Sequence, residues 1–149
     1  MKFKYRRFRD RTSPYRKFIK LPFIEVRLAY GSNHIDLDCL IDSGAGDCLF
    51  SADIADILGI DLENAEERKY IGIAEHSVVG RIHPVQMLVK GFSDWIEIEA
   101  AFLDINQLPL LGQRGFFDSY QITFEGYRGR FEVRSRFATK ERHGNKYFM

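Results

Sequence analysis

No apolar run of 18 residues occurs in this sequence, so no segment reads as a membrane-spanning helix. The first residues also lack the apolar stretch of a secretory signal, and a soluble cytoplasmic protein is the expectation. Cysteine is scarce. Cys39 and Cys48 are the only two, both in apolar surroundings, which favours buried thiols over a disulfide or a metal pair. His76 and His83 stand at no ligand spacing with either cysteine, and His34, Asp36 and Asp38 alternate onto a solvent face. Neither a metal nor an organic cofactor is implied. No internal repeat is visible, which sets aside solenoids and propellers.

What is present suits one domain. The chain has 149 residues, 45% of them hydrophobic, with thirteen phenylalanines, enough for a single core. A formal net charge of +1 conceals strong segregation. Residues 1–20 hold nine Lys/Arg against Asp10 alone, and 134–149 hold five against Glu141. Between them, 21–133 carry eight Lys/Arg against nineteen Asp/Glu. Basic ends of this kind contact nucleic acid or membrane surfaces, or else lie as arms or strands on the acidic body. Phe3, Tyr5, Phe8, Tyr15 and Phe18 are suited to anchoring the first arm to protein.

Alternation supplies most of the secondary structure. Leu21 to Tyr30 places Ile24, Val26, Leu28 and Tyr30 on one face, and His34 to Ile41 returns after a turn at Gly31-Ser32-Asn33. Ser51 to Gly59 predicts a short helix with Ser51 as N-cap and Gly59 at its end. Residues 61–69 are polar and predict a surface connection. Two strands are expected in Tyr70–Val89 around Ala74-Glu75-His76-Ser77, then Pro84–Phe92 paired with Trp95–Leu103. A short helix over about Gln113–Ser119 precedes a last hairpin, Tyr120–Phe124 with Arg130–Arg134. About seven short strands and two short helices predict an all-β closed barrel.

One stretch carries chemistry, Asp38 to Phe50. The apolar Cys39-Leu40-Ile41 ends a buried strand and delivers Asp42 into Ser43-Gly44-Ala45-Gly46. Burying a carboxylate costs several kcal/mol unless it is paired or hydrogen-bonded. An acid at that junction is therefore a turn cap or a working group, and the stretch alone leaves both open. Asp36-Leu37-Asp38 has the Asp-x-Asp spacing of phosphate-transferring dehalogenase-like enzymes, but follows a hairpin turn in a chain without helices for parallel crossovers.

Asp42-Ser43-Gly44-Ala45 resembles the Asp-Thr/Ser-Gly-Ala signature of aspartic peptidases of the single-domain, retropepsin-like family. The family's second hallmark, two bulky apolar residues followed by Gly and a short helix, is matched by Leu110-Leu111-Gly112-Gln113-Arg114. The resemblance covers roughly Leu21 to Val133 and divides the chain into a basic arm 1–20, a peptidase domain 21–134 and a basic tail 135–149.

This resemblance implies an acid-protease barrel, active as a two-fold homodimer on a peptide or protein substrate. Asp42 is then catalytic, with Ser43, Gly44 and Ala45 shaping the active-site floor and Leu111 and Gly112 supporting it. Gly72, Ile73, Ala74 and Glu75 form a mobile flap over the substrate. A single Asp-Ser/Thr-Gly supplies the two carboxylates of such a mechanism only if two chains each contribute Asp42. Two departures stand out. Retroviral members place Asp after the Ala and Arg after the second Gly, as an ion pair, where this chain has Gly46 and Gln113. Asp47 and Arg114, one place further on, are the candidate substitutes. The alternative is a catalytically silent dimer of the same fold that binds peptides or proteins. Nucleic-acid contact through the basic arm is a third class, recognisable by steep salt dependence.

Overall fold

The structure, a computed structural model, describes residues 1–137. The basic tail expected at 135–149 lies, from residue 138 on, outside the described residues. Among these, β1 (Lys2–Lys4), β2 (Arg6–Arg9) and β3 (Phe18–Leu21) precede the long hairpin β4 (Phe23–Tyr30) and β5 (Asn33–Ile41). Then follow β6 (Cys48–Ser51), the helix α1 (Ala52–Leu58), β7 (Glu66–Ile71), β8 (Ser77–Val89) and β9 (Trp95–Leu103). The two-residue β10 (Leu110–Leu111), β11 (Tyr120–Glu125) and β12 (Arg130–Ser135) complete the described chain.

Six strands close on themselves in the order β4-β5-β10-β6-β9-β8, and β8 returns to pair with β4 from Val26 opposite Val89 to Ala29 opposite Gln86. The expected closed barrel is therefore formed. Alternation explains its inside: Ile24, Val26 and Leu28 of β4, Val85, Met87 and Val89 of β8, and Ile96, Ile98 and Ala100 of β9 are buried in one core. Each large aliphatic side chain enclosed this way contributes about 1.5–3 kcal/mol. Cys39 and Cys48 are both free and buried within it. Burial pushes the Cys48 thiol up to about 11 and Cys39 higher than a free thiol, so neither serves as a nucleophile near neutrality.

Several expectations change in detail. The stretch 61–69 is a connection only as far as Ala65; β7 begins at Glu66 and pairs with β8 from Glu66 opposite Ile82 to Ile71 opposite Ser77. Charged residues dominate β7 because it hangs outside the ring with β8 as its one partner. Strand β8 runs unbroken from Ser77 through Pro84. Its β7 partners end at Ile82 and its β4 partners begin at Gln86, so Pro84 falls where that edge is unpaired and proline is tolerated. Ser51 precedes α1 but makes no side-chain cap bond, whereas Gly59 ends the helix at φ 73° as expected. The predicted helix after Gly112 is a single irregular turn, Gln113–Phe117.

The basic N-terminal residues are strands on the body. β1 pairs with β12, Phe3 stacks on Phe131 at 5.3 Å, and Phe8 packs on Phe23 at 4.7 Å. β2 and β3 form a separate two-stranded hairpin. No helix among the described residues is long and apolar enough to cross a membrane.

Candidate active site

The two sequence motifs, distant along the chain, lie side by side. β10 runs parallel to β5, with Leu110 opposite Leu40 and Leu111 opposite Ile41. The ladder continues into the turn: the Asp42 N–H donates to the Leu111 carbonyl at 3.0 Å, and those of Gln113 and Arg114 to the Ala45 and Gly46 carbonyls at 2.9 Å. The Gln113 side chain adds a 2.8 Å bond from Nε2 to the Ser43 carbonyl. The second motif is thus a cradle for the first.

Gly112 shows why that cradle needs its glycine. A β-carbon there would overlap the Asp47 carbonyl oxygen and stand 2.6 Å from that of Ala45. Backbone rather than a flexible side chain blocks the space, so no other residue fits without displacing the turn. Leu111, beneath it, is fully buried.

Asp42 leaves the end of β5 part-buried, with its Oδ1 accepting the Gly44 N–H at 2.9 Å and its backbone carbonyl accepting the Ala45 N–H at 3.2 Å. These bonds fix the carboxylate on a tight turn at the protein surface, beside exposed Ser43 and Gly44. A carboxylate so placed can accept a proton from water or, when protonated, donate one. Ser43, Gly44, Ala45, Leu111 and Gly112 are all brought to it.

Five residues on, Asp47 is only 1% exposed. Arg114 grips it through Nε at 2.6 Å and Nη2 at 3.1 Å, a two-pronged charge-assisted contact. The Tyr70 hydroxyl donates to Oδ2 at 2.6 Å, and Arg68 Nη1 lies 3.3 Å from the same oxygen. Burial pushes the Asp47 carboxyl upward, but Tyr70, Arg114 and Arg68 outweigh it and hold the group below its ordinary range. Burial, and then the bond to Asp47, push the Tyr70 hydroxyl well above its own. Asp47 and Arg114, the candidate substitutes for the absent pair at 46 and 113, do form an ion pair with each other.

Arg68 and Tyr70 belong to β7, so the same carboxylate ties the β7–β8 hairpin to the motif turn. Sequence reasoning missed these two residues. Their one signal was alternation, Arg68-x-Tyr70, within a segment whose charge favoured a surface connection. The four expected flap residues, Gly72, Ile73, Ala74 and Glu75, sit together at the tip of this hairpin, closed by the Gly72 N–H on the His76 carbonyl at 3.0 Å. Ala74 and Glu75 have φ of 67° and 61°. Two consecutive non-glycine residues in that region store about 1–3 kcal/mol each.

Asp36 and Asp38, from the dehalogenase-like spacing, are occupied otherwise: Arg27 contacts Asp36 at 2.7 Å and Arg6 contacts Asp38 at 2.7 Å. No group of three or more metal-binding side chains occurs among the described residues.

No protein-family model and no curated protein matches the chain. Solved structures do. A retropepsin-like aspartic protease from Rickettsia conorii superposes with a TM-score of 0.60 at 14% identity, over 90% of this chain and 98% of that one. EIAV protease, solved with the inhibitor HBY-793, superposes with a TM-score of 0.51 at 22% identity, over 63% of this chain and 83% of that one. The fold is that of the retropepsin-like aspartic proteases.

Proposed function

We propose that this chain is an aspartic endopeptidase in which two copies, related by a two-fold axis, each contribute Asp42 to one active site. The observation that carries the reading is the seating of Asp42: a surface carboxylate held by Gly44 on a turn that only a glycine at 112 can support. The fold shared with known aspartic proteases gives that seating its context.

In the proposed reaction a water lies between the two carboxylates. One, ionised, takes a proton from the water as it attacks the scissile carbonyl; the other, protonated, donates to the carbonyl oxygen. Like charges a few ångströms apart do not both ionise, so the pair holds one proton and titrates as a unit, the behaviour that aspartic proteases exemplify. Ser43 hydrogen-bonds across the two-fold axis, Gly44 gives the substrate access to backbone, and the tip 72–75 closes over the peptide. No cofactor takes part, and the site belongs to a soluble cytoplasmic enzyme.

The test joins cleavage to assembly. Hydrolysis of a mixed peptide library is expected to fall on dilution in step with the dimer measured by sedimentation, and to be lost in Asp42→Asn while the dimer persists. A sample that is wholly monomeric yet still cleaves overturns the reading. Peptide binding without cleavage at any pH from about 3 to 8 favours the silent binding module.

A further inference from the structure

We propose that the outward face of the β2–β3 hairpin, with the turn that joins its strands, binds single-stranded nucleic acid. The proposal is independent of the peptidase reading and gives the chain a second class of ligand.

The hairpin is held on the body by one face only. Register pairs Arg6 with Leu21 and Phe8 with Ile19, and from that face Phe8 packs on Phe23 at 4.7 Å while Arg6 binds Asp38 at 2.7 Å. The opposite face pairs Arg7 with Lys20 and Arg9 with Phe18. The turn between the strands adds Arg11, Arg16 and Lys17, and all six of these cations are exposed. The acid within the same stretch, Asp10, has its Oδ1 taken up by the Thr12 N–H at 2.9 Å and the Thr12 hydroxyl at 2.6 Å.

This distribution is unfavourable for the chain alone. Like charges directly opposite on a ribbon destabilise it, and Arg7 stands opposite Lys20. Residues 21–133 offer nineteen acids, yet among the described residues Arg6 makes the one ion pair from residues 1–20. The six outer cations stay in solvent rather than being neutralised on the acidic body. A polyanion relieves their repulsion, and the body, whose acids outnumber its cations, repels that polyanion and confines it to the hairpin.

Aromatic side chains narrow the choice of polyanion. Tyr15 in the turn is 93% exposed, and the Arg7 guanidinium lies over the half-exposed Phe18 ring, 3.7 Å from its centroid. Rings and guanidinium planes set among cations suit unpaired bases, with base against ring and phosphate against cation. A duplex keeps its bases stacked inside and makes little use of them. A membrane surface engages the same charge, but Arg7 keeps a cation over the ring that would have to enter the lipid.

The test is fluorescence anisotropy of the full chain with a fluorescein-labelled, mixed-sequence single-stranded RNA of about 20 nucleotides. Micromolar binding is expected at about 50 mM salt, with log K falling against log salt at a slope of about −3 to −4, near 0.7 for each of the six cations. The slope should shrink by about 2 in R7Q/R9Q/K20Q. R11Q/R16Q/K17Q, confined to the turn, should do the same and stands in if the first variant misfolds. Tyr15→Ala should weaken binding about tenfold and leave the slope unchanged. Absence of binding at low salt, or a native slope in the folded triple variants, overturns the proposal. Equal affinity for the duplex of the same sequence, with Tyr15→Ala neutral, overturns the single-stranded assignment. Retention on phosphatidylserine–phosphatidylcholine vesicles through the same cations, without RNA binding, makes the hairpin a membrane contact and likewise overturns it. Because the readout is binding, it stands or falls separately from peptide cleavage.

Discussion

Asp42 and Asp47 are five residues apart on one turn and live in opposite conditions. Asp42 is part-buried and bonded to a single backbone N–H, whereas Asp47 is enclosed and held by two arginines and a tyrosine. The difference separates a carboxylate open to solvent from one committed to holding two segments of the fold together. Asp47 has three partners from two distant segments, so its charge organises structure. Asp42 has one side-chain partner, the Gly44 N–H, which leaves the carboxylate free for the role proposed for it.

The same isosteric exchange at both positions tests this contrast. Asp42→Asn should lower peptide hydrolysis roughly a thousandfold, as for loss of a general acid–base, with a melting temperature close to native. A fall in stability of the size seen at Asp47 would erase the distinction. Gly112→Ala pushes both acids off their support and should cost about 3 kcal/mol or more in chemical denaturation, because backbone oxygens occupy the space.

Asp47→Asn should cost about 2 kcal/mol. Breaking a buried ion pair costs more in general, but Arg114 is 64% exposed and regains water. The pH dependence sharpens this. The Asp47 carboxyl is held below its ordinary range in the folded chain, so its stabilisation is present above the unfolded-state value and is lost as pH falls through the lowered folded value. Denaturation profiles of the native chain should therefore lose stability in that acid window, and those of Asp47→Asn should lose less. Tyr70→Phe removes one bond to the carboxylate and should cost about 1–1.5 kcal/mol. Smallest of all, Asp38→Asn breaks an exposed pair with Arg6 and should change stability by under about 1 kcal/mol.

The seating of Asp42 at a strand end was legible because its signal is local, an apolar strand end, an acid and small residues in succession, while the role proposed for it came from the resemblance alone. The barrel strands were legible for a related reason, since one buried face writes itself as alternation in Ile24, Val26 and Leu28. The support for Asp47 was not. Arg68 and Tyr70 meet it across the fold, from a strand outside the ring whose exposed residues carry no apolar period. The Asp47–Arg114 pair was reachable only as an offset from a motif. The N-terminal strands were obscured by charge, although Phe3 and Phe8 do pack on the body.

Closure of the ring has a kinetic consequence. Val26 meets Val89 only after a loop of roughly 60 residues has been drawn together, an entropic cost met before the contact rewards it. Such non-local pairing places folding on the order of milliseconds to seconds, and a ribosome must synthesise β8 before β4 loses its bare edge. Nascent chains halted short of that strand should be prone to aggregate, and the completed barrel slow to come apart.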